Sequence, residues 1–428
     1  MYRRNPFFVG GPVPIEHFKG RERAFNAAVD QVLNSGHLAL YGEPGIGKSS
    51  LLRYLAAPQG WQARGQDTSS MIFVSLNCTT INPFSPDAFW REILNQLKGT
   101  NYPIVLEEGS SGSRRELGQF LNVIGPQGKR LILLLDDYDQ VLKANSDYTE
   151  AEMLSFLYEL RSLAVADQAG RYLSMIVSTF RRLDELGPRS TLPSPWYNHY
   201  LFRPLKPFAP NEVNVLLDAM PEEWALTEEH RAGLREICGG HPALLQNACR
   251  LIFDRLQDEE KPGLDTKQFT SDFISATEHF FNNTWKSSSE SEQMLMMLIA
   301  LSNLDGRLNH KRSYNLSDVD IILSQLDREL RVLEERGILN RREEDGKVLY
   351  SFGSSIMEWW VIKEIENSAD ETELNQRERV FLSLSRKQAD QIKGVMRQVW
   401  QYRDAVQSIA GWTGKLVGAF GKGVAGGG

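Results

Sequence analysis

Gly42-Glu43-Pro44-Gly45-Ile46-Gly47-Lys48-Ser49 fits the pattern G-x-x-x-x-G-K-[ST] at every fixed position. A short apolar run at 37–41 precedes it and an amphipathic segment at 48–57 follows it. Strand, glycine loop and helix form the context this pattern needs. The glycines let the backbone curl so that successive N–H groups face one anion. The helix that follows points the positive end of its dipole at the same place. The spacing lets Lys48 reach the β- and γ-phosphates of a nucleotide, with Ser49 a ligand for Mg²⁺ and Ser50 the next residue of the binding segment.

A second pattern supports the first. Leu131-Ile132-Leu133-Leu134-Leu135-Asp136-Asp137 is an apolar strand ending in two acids. Beside a phosphate loop, the first acid, Asp136, is assigned to the Mg²⁺ shell and the second, Asp137, to the attacking water. A third pattern, Ser178-Thr179-Phe180-Arg181-Arg182, closes the apolar run 172–177. A polar or cationic group at the tip of that strand can sense a γ-phosphate. Arg181 is the assignment made here, with Thr179 and Arg182 as rivals.

Outward from these motifs, the chain reads as strands alternating with helices. Helices are expected over 21–33, 48–57, 86–97 and 150–166, and strands over 37–41, 71–76, 130–135 and 172–179. The run 130–135 is apolar without alternation, as in a strand buried on both faces of a parallel sheet. This is an open α/β sheet with right-handed crossovers. Residues 100–112 read as an irregular insert. After a Pro-rich stretch at 188–210 the pattern turns helical, with one break at Gly239-Gly240-His241-Pro242. Short helices at 291–301, 316–324 and 326–336, then a hairpin around Asp345-Gly346, have the anatomy of a winged helix.

Composition sets the outer bounds. The chain has 428 residues and a formal net charge of −7, with 41% hydrophobic and 24% charged residues. The length implies several domains and the balance a globular chain. Overall acidity argues against a dedicated nucleic-acid wrapper. Cys78, Cys238 and Cys249 are scattered and form no C-x-x-C pair, so a zinc or disulfide framework is not expected. No signal peptide and no apolar run long enough to span a bilayer is visible, which leads to the expectation of a soluble, cytoplasmic protein.

Taken together, the phosphate loop, the Leu-Leu-Leu-Asp-Asp strand, the Ser-Thr-Phe-Arg turn and Gly239-Gly240-His241-Pro242 resemble the STAND ATPases. These are signal-transduction NTPases related to AAA+ and NB-ARC proteins. The resemblance covers about residues 15–365 and adds two expected nucleotide contacts. Arg21, in Phe18-Lys19-Gly20-Arg21-Glu22, is similar to a family motif near the adenine, and Pro242 matches a lid proline that packs on the base. The implied architecture is an α/β P-loop NTPase domain, an α-helical lid and a winged helix. Its boundaries are an extended arm at 1–17, the nucleotide domain at 18–205, the lid at 206–285, the winged helix at 286–369 and a basic amphipathic tail at 370–428. Where many family members place a β-phosphate-binding His, this chain has Ser354.

The resemblance implies an ATP/ADP switch with Mg²⁺ as cofactor. It would hydrolyse ATP slowly, oligomerise in the ATP state and act on a separate effector or sensor protein in prokaryotic defence or stress signalling. A DNA-associated ATPase is the second reading. The expected recognition helix has Arg328, Arg331 and Arg336 against Asp327, Glu329, Glu334 and Glu335, a mixed surface that favours protein packing. Residues 391–428 have five basic residues against Asp404, a net of +4, with apolar residues at helical spacing. Docking on the chain's own body, assembly with a partner, and a membrane surface acting through 391–422 all fit that tail.

Overall fold

The apolar runs form a five-stranded sheet in the computed structural model, which describes residues 3–99, 113–190, 193–257, 266–304, 326–344 and 347–367. The strands are β1 (His37–Tyr41), β2 (Met71–Asn77), β3 (Arg130–Asp136), β4 (Leu173–Thr179) and β5 (Tyr200–Pro204). They lie in the order β2-β3-β4-β1-β5, and every neighbouring pair is parallel. All residues of β1 and β4 are buried, as are the central residues of β3. Helices cover both faces of such strands, so their sequences are mostly apolar without strict alternation. With β4 between β3 and β1, the carboxyl ends of the three motif-bearing strands are neighbours, where open α/β sheets bind ligands.

The Pro-rich stretch 188–210 is not wholly irregular, because β5 lies within it. An edge strand pairs on one side only, so Pro204 is tolerated there. The Leu205 N–H beyond it still donates to the Tyr41 carbonyl at 2.7 Å.

Five longer helices accompany the strands: α1 (Glu22–Leu33), α2 (Lys48–Leu55), α3 (Pro86–Lys98), α4 (Arg114–Ile124) and α5 (Glu150–Arg161). α4 has no counterpart among the expected elements. Ser113 caps it, and Leu117, Phe120, Leu121 and Ile124 form its buried face. Thr149 and Glu152 make a reciprocal capping box at the start of α5. α5 ends earlier than expected, giving way to a π turn over Ser162–Ala166. The insert at 100–112 lies outside the described residues.

The chain divides into two compact units. The sheet unit comprises Gly11–Glu43 and Gly47–Leu205; the other unit unites Met1–Gly10 and Pro44–Ile46 with the chain from Lys206 onward. This second, helical unit contains α6 (Pro210–Leu217), α7 (Glu228–Cys238), α8 (Pro242–Gln257), α9 (Thr266–Lys286), α10 (Glu290–Leu304), α11 (Asp327–Glu335) and α12 (Ser355–Asn367). An antiparallel pair, β6 (Leu339–Glu344) and β7 (Lys347–Phe352), stands between α11 and α12. The helix expected at 316–324 and the tail at 370–428 lie outside the described residues.

The Gly-Gly-His-Pro break separates α7 from α8. Gly239 has φ +57°, and a Cβ there would lie 2.2 Å from the Gly353 carbonyl oxygen, so both backbone shape and space require glycine. Ser354 donates its hydroxyl to the Ile237 carbonyl at 2.6 Å, which ties the start of α12 to the end of α7. The arm at the N-terminus joins the same unit. Phe7 is buried in its core, the Phe8 N–H donates to Gln246 Oε1 at 2.9 Å, and Asn5 Nδ2 donates to Asp254 Oδ1 at 2.8 Å.

Arg336, counted in sequence on the mixed surface of the expected recognition helix, is buried. Its side chain is 2% exposed and pairs with Glu292, 4% exposed, at 3.1 Å. It also donates to Ser288 Oγ at 3.0 Å and to Ser287 Oγ at 3.2 Å. Just after the last turn of α11, this guanidinium faces the packed interior, joining α10 and the end of α9. Removing one member of such a pair leaves a buried, unpaired charge. Arg336→Met is therefore expected to destabilise the helical unit by about 3–5 kcal/mol, with Glu292→Leu added to it restoring most of the loss. Urea unfolding followed by circular dichroism checks both changes, and a loss under about 1 kcal/mol for the single change would contradict the reading.

Candidate nucleotide site

The site begins where β1 ends. The chain turns through Gly42 to Gly47 and enters α2 at Lys48, so the loop occupies the carboxyl edge of the sheet. α2 lies against β3 and β4. This brings the phosphate-loop helix beside the strands that end in Asp136 and Thr179. Lys48 Nζ donates to the carbonyls of Gly42 at 2.7 Å and Glu43 at 3.2 Å, which holds the ammonium within the loop.

The motif residues also act on one another through their charges. Burial lowers the Lys48 pKa below its ordinary value, while the carboxylates of Asp139, Glu43, Asp136 and Asp137 act to raise it. A buried ammonium beside an acidic cluster can exchange part of that attraction for a polyphosphate. Glu43 is itself buried. Ser50 Oγ accepts the Val13 N–H at 3.1 Å, so the chain ahead of the first helix is fastened to the phosphate-loop helix.

The two acids are held differently. Asp136 completes β3, and its Oδ1 accepts a short hydrogen bond from Ser178 Oγ of β4. Asp137 leaves the strand with φ +49°, a left-handed conformation that Asp tolerates better than most residues. Its N–H donates to Ser178 Oγ at 3.2 Å, and its Oδ2 accepts from Asn77 Nδ2 at 3.0 Å. Ser178 thus joins both acids to the neighbouring strand, and Asn77, the last residue of β2, fixes the orientation of the second acid.

Asp139 completes this cluster. Its Oδ1 accepts the Phe180 N–H at 3.0 Å, tying the turn after β3 to the end of β4. Burial raises its pKa to about 6, against the opposing pull of that N–H and of Lys48. In sequence Asn77 and Asp139 have no place in the expected site, and Ser178, within the third motif, has no assigned role. Asp139 has a visible signal, a third acid in Asp136-Asp137-Tyr138-Asp139. Asn77 and Ser178 become legible only once the strand order is known.

The remaining expected residues are placed as follows. Arg181 pairs with Glu185 at 3.3 Å, Arg182 pairs with Asp184 at 3.0 Å and its guanidinium lies over the Phe202 ring at 4.6 Å, and Thr179 Oγ1 donates to the Arg181 carbonyl at 2.6 Å. Arg21 is buried, with φ +66°, at the N-cap of α1. Phe18, from the same short motif, stacks on Tyr54 of α2 with centroids 4.3 Å apart, rooting that motif beside the phosphate-loop helix. Pro242 opens α8 and is buried in the helical unit.

A hydroxyl and a carboxylate, Ser49 and Asp136, are the hard oxygen donors Mg²⁺ prefers, and the surrounding acids would balance the cation's charge. The residues present fit that ion.

Residues 32–186 match the family model described as an AAA domain. No curated protein sequence matches the chain. Among solved structures, a Walker-type ATPase of Pyrococcus abyssi superposes with a TM-score of 0.51 at 16% identity, over 83% of this chain and 99% of its own. The Aeropyrum pernix ORC2 protein, in ADPNP–ADP complexes, gives a TM-score of 0.49 at 13% identity, over 94% of this chain and 98% of its own. The fold is thus an α/β P-loop NTPase fold of the AAA type. Among the described residues, no helix is long and apolar enough to cross a membrane.

Proposed function

We propose that this chain is a Mg²⁺-dependent ATPase that works as a slow, nucleotide-controlled switch. The observation that supports it is the meeting of Lys48 with Asp136, Asp137 and Asp139 at the carboxyl edge of the sheet. Lys48 and the loop N–H groups bind the β- and γ-phosphates, Ser49 and Asp136 hold the ion, and Asp137 orients and deprotonates the attacking water. The Asn77 contact on Asp137 restrains that base, which suits slow turnover. Arg181 serves as the γ-phosphate sensor, released from Glu185 when nucleotide is present. Arg21 is read as an adenine contact and Pro242 as a lid residue for the base, as the STAND resemblance implies. In this reading residues 206–285 are a lid and 286–369 a winged helix that packs on protein.

DNA contact is the less favoured role for α11. Arg336 is buried on Glu292, and Arg331 pairs with Asp327 at 2.6 Å. ATP binding favours an assembled state that engages a separate effector, whereas ADP favours the unassembled chain. Light scattering of the full chain in ADP and in a non-hydrolysable ATP analogue tests this. A larger particle with the analogue is expected, and an unchanged size would overturn the switch.

A further inference from the structure

The seam between β3 and β4 changes character at its carboxyl end. The backbone register runs from Leu131 opposite Leu173 to Leu135 opposite Val177. Past that point side chains continue the seam. Ser178 Oγ donates to Asp136 Oδ1 and accepts the Asp137 N–H. Further out, Asp139 Oδ1 accepts the Phe180 N–H at 3.0 Å. Asp139 belongs to a short 3₁₀ helix, Tyr138–Leu142, rooted by the buried Tyr138 and Val141. The Gln140 N–H donates to the Asp137 carbonyl at 3.1 Å, which closes the turn around it. The carboxylate is therefore presented from a fixed piece of backbone.

Peptide geometry turns this rung into a joint. The Phe180 N–H shares a peptide plane with the Thr179 carbonyl, and in a trans peptide the two point in opposite directions. The Thr179 carbonyl accepts the Gly42 N–H at 3.2 Å, where β1 gives way to the phosphate loop. One peptide unit at the tip of β4 is thus held from both sides, by Asp139 after β3 and by Gly42 after β1. Thr179 Oγ1 closes the tip by donating to the Arg181 carbonyl at 2.6 Å. Ionised, the carboxylate makes a charge-assisted bond, stronger than a neutral one.

We propose that Asp139 is a positioning residue for ATP turnover. Its carboxylate fixes the 179–180 peptide, and with it the spacing between the turn that carries Asp137, the tip of β4 and the start of the phosphate loop. This rests on the ATPase reading and adds to it a role that needs no contact with nucleotide or water. A misplacement of about 1 Å between reacting groups costs about 10²-fold in rate. A rung that sets such a spacing acts on turnover more than on binding.

The test compares Asp139→Asn, Asp139→Leu and Asp139→Ala in the full chain. Each removes the charge, and only Asn keeps an oxygen that can accept the Phe180 N–H. ATP turnover gives kcat and KM, a fluorescent ADP gives affinity, and melting temperatures report folding. Asp139→Leu and Asp139→Ala are expected to lower kcat by about ten- to hundredfold relative to Asp139→Asn, with ADP affinities within about threefold across the variants. Equal kcat in the Asn and Leu variants would overturn the proposal. If both are low, the charge or basicity of the carboxylate is what counts; if both match the parent chain, the rung is idle. A loss confined to Leu would also overturn it, by assigning the effect to bulk. So would a loss of ADP affinity in step with kcat, which would place Asp139 on the nucleotide. A parent chain that binds ADP and has no ATP turnover would overturn the ATPase reading itself.

Discussion

Lys48→Ala is expected to lower affinity for ADP and ATP by at least two orders of magnitude. The ammonium is the cation that the loop carbonyls of Gly42 and Glu43 hold in place. Charge-assisted hydrogen bonds contribute about 1.5–3 kcal/mol each, so losing two contacts to a polyphosphate costs about 3–6 kcal/mol. Losing Lys48 has a second effect. Its charge holds the carboxyl of Asp139 down against burial. Without it the charges of Asp139, Glu43, Asp136 and Asp137 lose this cationic neighbour, and their repulsion of the incoming anion adds to the lost attraction. The side chain's bonds are to its own loop, so the variant is expected to stay folded. Titration with fluorescent ADP measures the change, and binding like that of the parent chain would remove the site from Lys48.

Asp137→Asn is expected to separate binding from chemistry. Nucleotide affinity stays within a few-fold, while turnover falls by about 10²–10⁴, the range for a lost general base. The amide keeps the shape of the carboxylate, and its oxygen can still accept from Asn77 Nδ2, so the turn with φ +49° has no reason to rearrange. What disappears is the capacity to take a proton from water. Single-turnover phosphate release with ATP bound is the measurement. Asp139 gives the experiment its alternative outcome. Its pKa, raised to about 6, lies near the operating pH of a base. Turnover that survives Asp137→Asn would transfer the role to Asp139.

The phosphate loop and its sheet were legible in the sequence because both are local patterns. Residues 42–49 have fixed types at fixed spacing, and β3, buried along 131–135, has no polar interruption there, while β4 has only Ser174 within 173–177. The elements that were missed are less marked. β5 is a short edge strand ending in Pro204, and α4 has only one buried face. The missed parts of the site are pairings across strands. Asn77 and Asp137 stand 60 residues apart in the chain, and Ser178 and Asp136 are 42 apart. Only the order β2-β3-β4 brings them together. The burial of Arg336 is hidden for a different reason: in sequence a buried arginine is indistinguishable from a solvated one, and only Glu292 on another helix reveals it.

The docking of Phe7 and Phe8 also has a consequence for biosynthesis. Phe8 pairs with Gln246, 238 residues further along the chain. At about 5–20 residues per second the ribosome supplies that partner roughly 10–50 s after the arm emerges. The sheet unit, which ends at Leu205, is complete before then. During that interval Phe7 and Phe8 have no finished core to enter. This segment is therefore made well before the core it joins, and until then the nascent chain presents an apolar pair of the kind that holding chaperones bind.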